Sequence, residues 1–147
     1  MIEIVELPEL VCIGYEIEAE RQELPALMPG LWDRLFAADT GATSFLEVSS
    51  EAEEGRFRRL VGFLAARSTE IPDGMTKLIL PARRYLRLSH EGPLSGIASG
   101  FQRIHDHAAT TGQKTGDLKL DFGYTPGFTD TRHELHVALE PQPLLLG

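Results

Sequence analysis

Ile71-Pro72-Asp73-Gly74-Met75-Thr76-Lys77-Leu78-Ile79-Leu80-Pro81 is the stretch at which the chain starts over. Pro72-Asp73-Gly74 is a turn signal: Pro presets φ at one turn position and Gly accepts the positive φ that closes it. Leu80-Pro81 then repeats Leu7-Pro8 at an offset of 73, and each pair leads into residues of period-2 character. After Pro8, Val11, Ile13, Tyr15 and Ile17 alternate with Cys12, Gly14, Glu16 and Glu18, which is the pattern of a half-buried strand.

The rest of each half matches too. From Pro29, Leu31, Trp32, Leu35 and Phe36 recur at helical spacing until Asp39-Thr40-Gly41. From Pro93, Leu94, Ile97, Phe101, Ile104 and Ala108 do the same until Gly112, and Phe101-Gln102-Arg103-Ile104 echoes Trp32-Asp33-Arg34-Leu35. Extended segments follow each helix. They cover 43–49 and 56–67, joined by a loop over 50–55, and then 118–122 and 133–139. Leu60/Leu64 and Val61/Phe63 make both faces of the second segment apolar, so it belongs inside a sheet.

Each half is therefore strand, helix, strand, strand. The expected fold class is α+β: a pseudo-symmetric duplication forming one antiparallel sheet, with both helices on one face and a ligand cleft on the other. The linker at Pro72 is short and either half alone is near the lower size limit for a stable core. Residues 1–147 are thus expected to form one domain with halves of about 1–70 and 71–147.

Composition narrows the function. Fourteen Lys and Arg against 22 Asp and Glu give a net charge of −8, which repels polyanions, so no direct nucleic-acid binding is expected. Arg58-Arg59 and Arg83-Arg84 lie in strand-like stretches with acidic neighbours and read as solvated or ion-paired faces. Cys12 is the single cysteine, which excludes an intramolecular disulfide and fits a reducing, cytoplasmic setting. The first residues lack a basic region followed by an apolar run, and no 18-residue apolar stretch occurs, so neither secretion nor a membrane partner is expected.

Several short motifs carry no chemistry. His133-Glu134-Leu135-His136 spaces its histidines by three, whereas the zinc-protease helix needs four, and in a strand the two rings face opposite ways. His105 and His107 do not converge on a helix. Gly92, Gly96 and Gly100 indicate close backbone packing, and Gly112-Gln113-Lys114-Thr115 lacks the glycine a phosphate loop needs before its lysine. No metal or cofactor is expected.

Four segments together carry a family resemblance along nearly the whole chain. They are Val5-Glu6-Leu7-Pro8 with the strand through Gly14; Pro29-Gly30-Leu31-Trp32-Asp33-Arg34-Leu35-Phe36; Ile71-Pro72-Asp73-Gly74-Met75 through Leu80-Pro81-Ala82 and Tyr85 to His90-Glu91-Gly92-Pro93; and His133 to Pro141. In order and spacing the chain resembles the GyrI-like, AraC-type effector-binding family. The resemblance implies a bacterial, regulator-related domain of the multidrug-binding kind, with Glu134 as the carboxylate that faces the ligand.

Strand parity permits that placement: Leu135, Val137 and Leu139 share one face, and Glu134, His136 and Ala138 the other. By the same parity, Leu46 and Val48 are expected under the helices, and Phe45 and Glu47 in the cleft with Glu134. Tyr85, Tyr124, Trp32 and His136 complete the candidate ligand-binding set, each also readable as a packing residue. A partly desolvated carboxylate attracts a cation by roughly 4 kcal/mol at about 4 Å, and aromatic faces add about 0.5–2 kcal/mol each. The leading expectation is a stand-alone protein that senses or sequesters a small amphipathic, cationic or aromatic ligand. The resemblance also leaves open a hydrolase of cyclopropane-bearing natural products, with Glu134 activating water beside Tyr124 or Tyr85. A third possibility is a gyrase-inhibitor-like module acting through a protein partner or homo-oligomer.

Overall fold

Two strand-helix-strand-strand units, each ending in a β-hairpin, build the molecule. The computed structural model describes residues 1–128 and 131–141. In chain order the first half is β1 (Ile2–Leu7), β2 (Leu10–Glu20), α1 (Leu24–Ala37), β3 (Phe45–Glu53) and β4 (Arg56–Leu64). The second half is β5 (Thr76–Leu80), β6 (Arg83–His90), α2 (Ile97–Thr111), β7 (Thr115–Tyr124) and β8 (His133–Leu139). The repeat read from the sequence is present, with one further strand, β1 or β5, ahead of each unit.

All eight strands form one antiparallel sheet in the order β1-β6-β8-β7-β3-β4-β2-β5. Exchanging the corresponding strands of the two halves reproduces this order read backwards, so a pseudo-twofold axis passes between β3 and β7. The leading strands cross over: β1 pairs with β6 of the second half, and β5 with β2 of the first.

Both helices lie on one face. Under α1 sit Ile13 and Tyr15 of β2 and Val61 and Phe63 of β4, packed with Leu31, Trp32 and Leu35. Under α2 sit Leu86 and Leu88 of β6 and Leu135, Val137 and Leu139 of β8, packed with Ile104 and Ala108. Burying the leucine, isoleucine and aromatic side chains of such a stripe contributes about 1.5–3 kcal/mol each. Gly100 lets α2 approach, since a Cβ there would come within 2.6 Å of Leu135 Cδ1.

Among the described residues, the helix-free face is also a packed one. It carries a third core of Cys12, Leu46, Val48, Leu60, Leu80, Tyr85, Leu120 and Ala138, drawn from both halves and joined by Val5, Leu7 and Leu10. The sheet curls so that this face packs on itself. Gly14 and Gly62 face each other across β2 and β4 where the strands come so close that a Cβ on either would collide with the opposing backbone.

Candidate functional site

Following the pairing register across the helix side shows what the helices leave uncovered. One row of directly opposed residues runs Ile2, Leu88, Leu135, Asp121, Glu47, Val61, Tyr15. The neighbouring row runs Ile4, Leu86, Val137, Lys119, Ser49, Arg59, Ile17. Both rows are apolar toward the ends and polar in the middle, the first on β7 and β3 and the second on β7, β3 and β4. Two acids occupy the centre of one row, and two cations flank a serine in the other. Opposed residues on antiparallel strands hold their Cβ atoms about 5 Å apart, so these side chains share one small space.

That space is a recess of about 300 Å³. Glu47, Ser49, Arg59, Lys119 and Asp121 form its floor, and Ile97, Ala98, Phe101, Gln102 and His105 of α2 form one wall. A larger groove of about 640 Å³ lies at the Leu7-Pro8 turn beside Arg83, Arg84 and Glu140. It gathers no buried ionisable side chain, so the recess is the stronger functional candidate despite its size.

Electrostatics within the recess are strained by desolvation. Burial pushes the Glu47 carboxyl up; Arg59, whose Nη1 donates to Glu47 Oε2 at 3.4 Å, partly offsets this, and the Asp121 charge adds to it. Burial, then Arg59 and Arg21, hold the Lys119 ammonium below its ordinary pKa. His105 is lowered by burial and by Lys119. Asp121 and His133 form a buried pair with Nδ1 to Oδ1 at 2.7 Å.

An aromatic cluster continues the site toward α1. Trp32 stacks on Tyr124 with ring centres 4.4 Å apart, and Phe36, Phe45 and Phe128 close around them. The Tyr124 phenol is driven strongly toward its neutral form by burial and then by the Glu47 and Asp121 carboxylates. Its ring meets His133 edge-on at 4.6 Å.

Of the residues singled out in the sequence, Glu47, Phe45, Tyr124 and Trp32 gather on the helix side. Glu134, Tyr85 and His136 do not. Phe122 pairs with Glu134, and Leu46 with Phe122, so Glu134 shares a face with Leu46 and not with Glu47. The expected meeting of Glu47 and Glu134 in one cleft is therefore corrected, as is the placing of Leu46 and Val48 under the helices. Glu134 instead accepts from Ser89 Oγ at 2.6 Å and pairs with Arg132 at 3.1 Å, near Arg87. Tyr85 and His136 pack edge-to-face in the helix-free core, where burial lowers the His136 pKa and raises that of Tyr85.

The sequence reading missed Asp121, Lys119, Arg59 and the wall from α2. A signal for the first two existed. Leu118, Leu120 and Phe122 alternate with Lys119 and Asp121, which marks a strand with one apolar and one charged face.

Residues 3–134 match the Cass2 family, described as integron-associated effector binding protein. The chain belongs to that family. The GyrI-like, effector-binding resemblance carried by the sequence is thereby shown. Among solved Cass2-like folds, SAV2435 bound to tetraphenylphosphonium superposes with a TM-score of 0.74 at 13% identity, covering 95% of this chain and 94% of that one. The integron cassette protein VCH_CASS2 of Vibrio cholerae superposes with a TM-score of 0.70 at 10% identity, covering 95% of each chain. At such identities the likeness concerns the fold. The transcriptional regulator BrlR of Pseudomonas aeruginosa is 27% identical over 77 residues, which is 52% of this chain and 28% of the regulator. Among the described residues no helix is long and apolar enough to cross a membrane.

Proposed function

We propose that this Cass2-family domain senses or sequesters a small amphipathic organic molecule, held in the recess between α2 and the central strands, with Glu47 as its ligand-facing carboxylate. One observation carries the reading: between the two helix-packed cores the cross-strand rows turn polar, and Glu47 and Asp121, though largely buried there, line the recess beside α2. A sheet built for stability alone would place apolar residues there, because burying ionisable groups raises their free energy. Ile97 and Phe101 on one side and the Trp32–Tyr124 pair on the other supply apolar and aromatic surface for the ligand body. The tetraphenylphosphonium bound by SAV2435 supports an aromatic, amphipathic ligand class, and the partial likeness to BrlR supports a sensing role.

The test is a titration with tetraphenylphosphonium and a set of neutral polyaromatic analogues, following melting temperature and tryptophan fluorescence, on the native chain, Glu47→Gln and Glu134→Gln. A ligand at one hundred times its Kd raises native-state stability by about 2.7 kcal/mol. Glu47→Gln is expected to weaken binding about tenfold or more, and Glu134→Gln to leave it unchanged. Loss of binding in Glu134→Gln with Glu47→Gln unaffected would move the ligand to the other face. Ligand recovered chemically unchanged after long incubation separates a binder from a hydrolase.

A further inference from the structure

The recess is not lined as a receptor for cations would be. Its floor carries Arg59 and Lys119 as well as Glu47 and Asp121, so the local charge is mixed although the whole chain is at −8. Its hydrogen-bonding groups are also of both kinds. Among the described residues, Arg59 Nε, a donor, is buried without a partner, and the Asp121 carboxylate, an acceptor, is buried against His133 and the Tyr124 hydroxyl. Lys119 makes neither a hydrogen bond nor an ion pair among those residues; its ammonium rests 5.6 Å from the centre of the Phe101 ring. Buried polar groups are rarely left unmade unless something outside the chain completes them.

The arrangement has a direction. Arg59 and Lys119 lie in one cross-strand row with Ser49 between them, while Glu47 and Asp121 lie in the next row of that face, two residues along the strands. Two residues span roughly 7 Å, so the cationic and anionic ends of the recess are separate but within reach of one small molecule. A purely cationic ligand would satisfy Asp121 and Glu47 while burying its charge beside Arg59 and Lys119, and a purely anionic one would meet the opposite conflict.

We propose that the recess selects zwitterionic amphipathic molecules. The ligand's acidic group sits on Lys119 and Arg59, its protonated amine on Asp121 and Glu47, and its apolar body along Ile97 and Phe101. This rests on the binding role assigned to the recess above and specifies its ligand class.

Three probes on one scaffold test it with the native chain: 4-phenylphenylalanine, which is zwitterionic; 2-(biphenyl-4-yl)ethylamine, cationic; and 3-(biphenyl-4-yl)propanoate, anionic. Calorimetric titration at neutral pH should show the zwitterion binding at least about tenfold more tightly than either analogue. In Lys119→Met, the zwitterion should fall to the affinity of the amine, while the amine binds as well as before or better. Asp121→Asn, checked for folding by circular dichroism, should bring the zwitterion down to the propanoate. If the amine equals or exceeds the zwitterion on the native chain and weakens in Glu47→Gln, the charge pattern proposed here is overturned and the binding role stands. If the zwitterion is preferred but Lys119→Met leaves that preference intact, the assignment of its acidic group is overturned. If no probe binds, nor tetraphenylphosphonium, both readings fall together.

Discussion

Glu47 occupies a position where its own charge is disfavoured, since burial raises its pKa even with Arg59 beside it. A neutral isostere should therefore fold better: Glu47→Gln is expected to raise the melting temperature at neutral pH by about 2–5 °C while weakening ligand binding, as scanning calorimetry would show. At alkaline pH other groups take over. Burial pushes the Cys12 thiol up to about 11, and Tyr124 is also raised. The folded chain keeps these protons after the unfolded chain has released them, so their contribution is complete below about pH 8.5 and is lost as pH rises. Urea midpoints should fall steadily from about pH 9 to 11, and Cys12→Ala should flatten the first part of that fall. His136 acts at the other end. Its lowered pKa gives stability that is present above about pH 6.5 and lost as pH falls. Parity in the sequence placed Leu135, Val137 and Leu139 correctly but inverted β3. The reason is physical: β3 is covered on both faces, Phe45 by the α1 cluster and Leu46 and Val48 by the helix-free core, so apolar alternation there does not say which face the helices take.

At the level of elements, the fit of α2 onto β6 and β8 depends on Gly100, and the glycine spacing in the sequence pointed to this close packing. Gly100→Val would force Leu135 aside and is expected to cost about 2–3 kcal/mol, read as a lower urea midpoint with an unchanged slope. Gly62→Ala should cost at least as much, since the atom a new Cβ would meet is backbone of β2 and not the end of a flexible side chain. The start of α1 was harder to read. Pro29, suited to a first turn, lies inside a helix that begins at Leu24 with another proline in its first turn. Pro29 withholds one N–H from the helical ladder, and the contacts of Leu31, Trp32 and Leu35 beyond it hold the helix in place. Similarly, 94–96 form a short 3-10 turn before α2 begins at Ile97. The loop expected over 50–55 is mostly strand, since β3 runs to Glu53 and the two residues Glu54 and Gly55 turn the chain, Gly55 with φ at +78°.

For the whole molecule, the duplicated plan was legible from the two Leu-Pro pairs and the two helical stripes. The exchange of β1 and β5 was not, because edge strands show only weak alternation and nothing in local sequence names a distant partner. That exchange makes the halves interdependent. Residues 1–70 and 71–147 expressed separately should each lack cooperative thermal unfolding, whereas the full chain should melt in one transition by both circular dichroism and fluorescence. The pseudo-twofold axis between β3 and β7 also passes through the floor of the recess, where Glu47 opposes Asp121 and Ser49 opposes Lys119. A receptor assembled from two identical subunits could offer only matched residues on either side of such an axis, and would read both ends of a guest alike. Joined in one chain, the two sides are free to diverge, and in the recess proposed as the ligand site the pairing of serine with lysine would let a guest be held in one orientation and told head from tail.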